Sequence, residues 1–162
     1  MFSMHDVKAL IAEEQRLRYE MATFRNAVIC PLGQGFALVP ITDSLTAELK
    51  LASSGGDADL VPEMALGLGS LALRISDGAA VAYISTEYFG GQGGQDAVAW
   101  SNGDVIFSPK SEGYGDVWPN SAISRALRAI GVVADQGRDE FDTLGLGRHR
   151  ETHRWATAFS SM

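Results

Sequence analysis

The chain is 162 residues long, with 46% apolar and 20% charged residues, a balance that fits an ordinary globular protein and excludes global disorder. Thirteen Lys and Arg against twenty Asp and Glu leave a formal charge of −7. Such a charge repels a phosphate backbone, which argues against general nucleic-acid binding unless a local basic patch forms, and it suits solubility or capture of a basic partner protein. The single cysteine, Cys30, excludes an intrachain disulfide and a cysteine-built metal site. Its place in the apolar run 27–32 predicts a buried, inert thiol.

The length predicts one domain over residues 1–162. The opening MFSMHDVKAL lacks the basic-then-apolar layout of a signal peptide. The most apolar stretch, residues 60–75, is too short for a membrane span and is interrupted by Glu63 and glycines. A cytoplasmic protein with no membrane partner is the expectation.

Residues 6–24 read as an amphipathic helix, with Val7, Leu10, Ile11, Leu17, Met21 and Phe24 on one face and Asp6 as N-cap. Residues 27–32 and 36–41 follow as short strands paired across Gly33-Gln34-Gly35, with Pro31 and Pro40 pointing to sheet edges or strand ends. Thr42 caps a helix over residues 43–51, and residues 53–57, SSGGD, form a surface loop. The stretch 62–75 permits either assignment, and strand character is favoured over residues 70–75. After a turn at Asp77-Gly78, strands are predicted over residues 81–88, 96–101 and 104–107. Asn102-Gly103 is the dipeptide best suited to a two-residue type I′ turn. A glycine-rich loop over residues 113–119 leads to a helix over 122–130, capped by Asn120 or Ser121 and ended at Gly131. Beyond it, Phe141, Leu144, Leu146 and Trp155 anchor a glycine-broken segment before a terminal helix. The pattern predicts an α+β fold, an antiparallel sheet with hairpins flanked by N-terminal and C-terminal helices.

The loop Gly90-Gly91-Gln92-Gly93-Gly94 invites a phosphate-binding reading, but dinucleotide and P-loop sites need a helix after the loop, and here a strand follows. Its glycines fit a hairpin needing positive φ, or bare backbone that a partner approaches closely. Alternation sets Tyr83, Ser85, Glu87 and Phe89 on one face and Ala82, Ile84, Thr86 and Tyr88 on the other. Glu87 is the residue of most interest: a general base, a partner-binding charge, or a solvated strand residue. Asp96 opens the next strand, and a register that set it across from Glu87 would make a carboxylate pair.

His149 and His153, spaced i, i+4, would share a helix face, yet the intervening residues are not HExxH and no metal is expected. Arg148, Arg150 and Arg154 read as a basic tail docked on the protein's own carboxylates, with Asp139, Glu140 and Asp142 nearby. The spacing gives no catalytic constellation, so no enzyme activity and no cofactor are predicted.

Two segments carry a resemblance: TEYFGGQGGQDAVAW with NGDVIF, residues 86–107, and ISRALRAIGV with DEFDTLGLGRHRETHRW, residues 123–155. Together they resemble a bacterial family of small cytosolic immunity proteins found beside polymorphic toxins and secreted effectors. The resemblance implies protein–protein binding without catalysis, in which the chain covers the active site of a cognate toxin, its partner. It carries over no catalytic residues. The candidate partner-binding residues are Glu87, Tyr88, Phe89, Gln92, Gln95 and Asp96, at one strand end and its loop. The rival readings are a small hydrolase or transferase using Glu87 with a histidine, and a structural or regulatory module of a larger assembly.

Overall fold

A computed structural model describes residues 4–52, 64–89, 92–112, 114 and 121–160. The loop predicted over residues 53–57 and most of that over 113–119 lie outside them. The chain has a mixed α+β fold, an antiparallel sheet flanked by helices.

The N-terminal region departs from the expected long helix. Residues Lys8–Glu13 form strand β1, and the helix that follows, α1, covers only Glu14–Glu20. Ala9, Leu10, Ile11 and Ala12 are all fully buried. A helix turning 100° per residue cannot hide four consecutive side chains on one stripe, whereas a central strand covered on both faces hides every one. Ala9 and Ile11 join one apolar core and Leu10 and Ala12 the other. Asp6 therefore caps no helix; it bridges to Glu151 instead.

Cys30–Pro31 forms β2 and Phe36–Pro40 forms β3, joined by the predicted turn, and helix α2 spans Asp43–Ala52. The Thr42 hydroxyl accepts the Leu45 N–H at 3.2 Å, the expected cap. Leu68–Ile75 is helix α3, against the strand expectation. Its buried residues Leu68, Leu71, Ala72 and Ile75 are spaced i, i+3, i+4, i+7, while Leu73, which made the run look alternating, is 45% exposed.

Strands β4 (Ala80–Phe89), β5 (Gln92–Ser101) and β6 (Asp104–Phe107) follow as consecutive antiparallel partners. Asn102 and Gly103 both take positive φ, 51° and 81°, the type I′ signature. Among the described residues the sheet has six strands in the order β2-β3-β1-β4-β5-β6. Helices α4 (Ala122–Ala129), α5 (Glu140–Thr143) and α6 (Thr152–Phe159) complete the chain.

Ser121 caps α4, and at its other end the Val132 N–H reaches Leu127 O at 3.0 Å and the Gly131 N–H reaches Arg128 O at 3.1 Å. With Gly131 at φ 104°, this pair of bonds is a Schellman ending, as the glycine predicted. One sheet face packs residues of α4 and Trp155 of α6; the other packs α1, α2 and α3. The two apolar cores reach Ile84 of β4 and Ala97 of β5 and stop short of the far ends of these strands.

Candidate functional site

The hairpin of β4 and β5 pairs without a register break from Ala80↔Ser101 to Phe89↔Gln92. The loop foreseen over residues 90–94 is thus shorter, since Gln92, Gly93 and Gly94 belong to the strand; Gly90 and Gly91 lie outside the described residues. Gly93 holds φ 132°, and a Cβ there would stand 1.7 Å from the Glu87 carbonyl oxygen. Only glycine lets the strands meet this closely.

One face of this hairpin end is bound to the rest of the molecule. Gln95 Oε1 accepts the Ile123 N–H at 2.8 Å, satisfying a first-turn donor of α4, and its Nε2 donates to the Tyr88 hydroxyl at 3.2 Å. The backbone of His5 exchanges two hydrogen bonds with Tyr88, at 3.0 and 2.9 Å. Thr86, buried, accepts the Val7 N–H at 3.0 Å on its hydroxyl oxygen, which lies 2.6 Å from His5 Nδ1. His5 Nε2 sits 3.3 Å from Leu146 O, a geometry in which Nε2–H donates and the Thr86 hydroxyl donates to Nδ1. That arrangement suits a neutral ring. Burial is the largest influence lowering the His5 pKa, and Arg150 adds to it, against the Leu146 bond and Asp6, which raise it.

The six residues singled out from the sequence therefore divide. Gln95 and Tyr88 bind each other on the face toward α4. Asp96 accepts from the Tyr114 hydroxyl at 3.0 Å, and that hydroxyl, its pKa raised chiefly by burial, accepts the Ala97 N–H at 2.8 Å. The carboxylate pair does not form across the ladder, because Gly94 stands opposite Glu87 and Ser85 opposite Asp96. Glu87 is exposed on the face opposite Thr86 and Gln95. Phe89 and Gln92 form the last described rung of the hairpin.

The histidines are dispersed. His149 precedes α6 and meets Trp155 edge-on at 4.7 Å, so it shares no helix face with His153, whose Nδ1 lies 3.3 Å from Glu151. Among the described residues no three His, Cys, Asp or Glu side chains are grouped to hold a metal ion, and no helix is long and apolar enough to cross a membrane. Cys30 is buried and its thiol is pushed up to about 12, first by desolvation, an unreactive state. The basic tail meets one of the chain's own carboxylates, Arg154 lying 3.9 Å from Glu151, but among the described residues it forms no ion pair with Asp139, Glu140 or Asp142. Glu140 takes Arg128 of α4 as its partner at 2.9 Å, while the Arg148 guanidinium caps the Gly145 and Leu144 carbonyls and lies over the Trp155 ring.

Sequence patterning gave no sign of a cleft of about 910 Å³ between the approach to β2, the start of α2 and α6. Arg18, Arg25 and His153 line it, residues far apart along the chain. Two smaller clefts continue it, sharing His153 and then Glu151, and the last is walled by Arg148, Arg150 and Arg154. No family model, curated protein or solved structure matches this chain.

Proposed function

We propose that this chain is a cytoplasmic binding protein that neutralises a bacterial toxin by covering its active site, in the manner of an immunity protein, with the Glu87 side of the hairpin end in the contact. The observation that supports this reading is the asymmetry of that end. One side is tied down through His5, Thr86, Tyr88 and Gln95, while the Glu87 carboxylate on the other side is exposed. A segment already ordered loses little entropy when a partner seats on it, so more of the contact energy appears as affinity. An exposed carboxylate on a chain of net charge −7 steers a basic toxin toward that side.

The hydrolase reading needs Glu87 beside a histidine. His5, the histidine nearest along the ladder, is bonded to Thr86 on the opposite sheet face, and no observation favours that reading. The test is co-expression with the product of the reading frame adjacent to the gene, read as growth of the host and as a co-eluting complex on gel filtration. Restored growth with a stable complex is expected. Unrelieved toxicity, or relief without a complex, would overturn the proposal.

A further inference from the structure

We propose that the cleft running along α6 and the β2 edge holds an extended, acidic segment of a partner protein. This surface includes none of the hairpin residues, and the proposal does not rest on the toxin-binding reading.

Charge is the first argument. Six of the thirteen Lys and Arg side chains line the three joined clefts, against three of the sixteen carboxylates among the described residues. An acidic protein has gathered nearly half its fixed positive charge into one groove. Arg18, Arg25, Arg148, Arg150 and Arg154 are all exposed there, so an incoming carboxylate meets guanidinium groups without displacing buried pairs.

The second argument comes from the sheet. Among the described residues β2 is the end strand, paired only with β3. The Leu32 N–H bonds Phe36 O at 2.8 Å, and Cys30, in the same phase two residues earlier, faces Leu38. Alternation then turns the N–H and C=O of Ile29 away from β3. Ala27, Val28 and Ile29 line the cleft, so this outward backbone faces the space in which the cations stand. A peptide laid along it gains main-chain hydrogen bonds, and Ala156 and Phe159 of α6 supply apolar wall for alternate side chains.

These features select peptide over nucleic acid. A phosphodiester strand has no N–H and C=O ladder to match a sheet edge, and Asp6, Asp43 and Glu151, set among the cations, repel a continuous run of phosphates. A peptide spaces its carboxylates and leaves neutral residues opposite those three.

The test uses the whole chain and a short fluorescein-labelled peptide in which Glu alternates with Val and Thr, followed by fluorescence anisotropy at low salt. Controls are the same peptide with Lys for Glu and a short oligothymidylate. Binding of the Glu peptide about tenfold or more above both controls is expected. Its largest amide shift in an NMR titration should fall at Ile29. Arg25→Glu and Arg154→Glu, at exposed positions, should each weaken it about tenfold, with circular dichroism unchanged. Equal binding of the Lys peptide, tighter binding of the oligonucleotide, or unaltered affinity in both folded variants would overturn the proposal. So would concentration-dependent self-association that moves the same amide without peptide, since a second copy would then be the occupant.

Discussion

The hairpin end and the α6 cleft differ in how completely the chain answers its own polar side chains. At the hairpin end, Gln95, Tyr88, Thr86 and Asp96 are each answered by another part of the same chain, while the Glu87 side chain is exposed. In the cleft, Arg18 meets Glu14, Arg154 meets Glu151 and Arg148 caps two carbonyls. Arg25 and Arg150, however, make no ion pair within 4 Å among the described residues. An unusual residue type is therefore a poor guide to a binding surface by itself. What separates scaffold from surface is whether the fold already satisfies the group: a buried donor left alone costs about 1–3 kcal/mol, so the fold answers it, whereas an exposed charge is hydrated and stays open to a partner.

The sharpest way to break this contrast is at Gly93. Gly93→Ala places a Cβ 1.7 Å from the Glu87 carbonyl at φ 132°, and should cost about 3 kcal/mol or more in urea unfolding. Gly78→Ala, at φ 73° with nothing within 4 Å of the new Cβ, should cost only about 1–2 kcal/mol. Equal losses would mean that the hairpin end yields and is not held as described. Gln95→Leu comes next: it strands the buried Ile123 N–H and the Tyr88 hydroxyl, and about 2 kcal/mol should be lost. A loss under about 0.5 kcal/mol would place Gln95 among ordinary surface residues.

His5 gives a smaller, pH-dependent effect. Its folded pKa lies below the ordinary 6.5, so the unfolded chain takes the proton first as pH falls. The stability it contributes is present above about pH 6.5 and is lost as pH drops from there through the depressed folded value. Melting temperature should fall between about pH 7.5 and about pH 5.5, and His5→Gln, which keeps one donor and one acceptor, should flatten that part of the profile. An unchanged slope would assign the pH dependence to other groups. The least effect belongs to the cleft: Arg25→Ala and Arg154→Ala should move stability by no more than about 0.5 kcal/mol, because neither cation is part of the packing. A larger loss for either would return the cleft to the scaffold.

Much of the sheet was legible. Asn102-Gly103, Thr42, Ser121 and Gly131 each specify backbone geometry through local chemistry, and each stands where that chemistry required. β1 was not legible, because a strand buried on both faces has no alternation, and its apolar run also satisfies helical spacing. Its junction with α1 carries no glycine or proline to mark it. α3 was misread for the converse reason, an exposed leucine that imitated a strand's period. At the candidate site, the prominence of Gln95 and Asp96 was legible but their partners were not: Ile123 and Tyr114 lie 28 and 18 residues away. The cleft joins Arg18 and Arg25 to residues near 150, a long-range meeting that no local pattern announces.

On the proposed reading, Glu87 faces a partner while the rest of the hairpin end holds it in place. The most direct measurement is the dissociation constant of the captured toxin for the wild-type chain and for Glu87→Arg, with folding of the variant confirmed by its melting temperature. Charge reversal in the contact should weaken binding about thirtyfold or more, roughly 2 kcal/mol. Equal affinity for the two folded proteins would contradict the claim and move the binding face away from the hairpin.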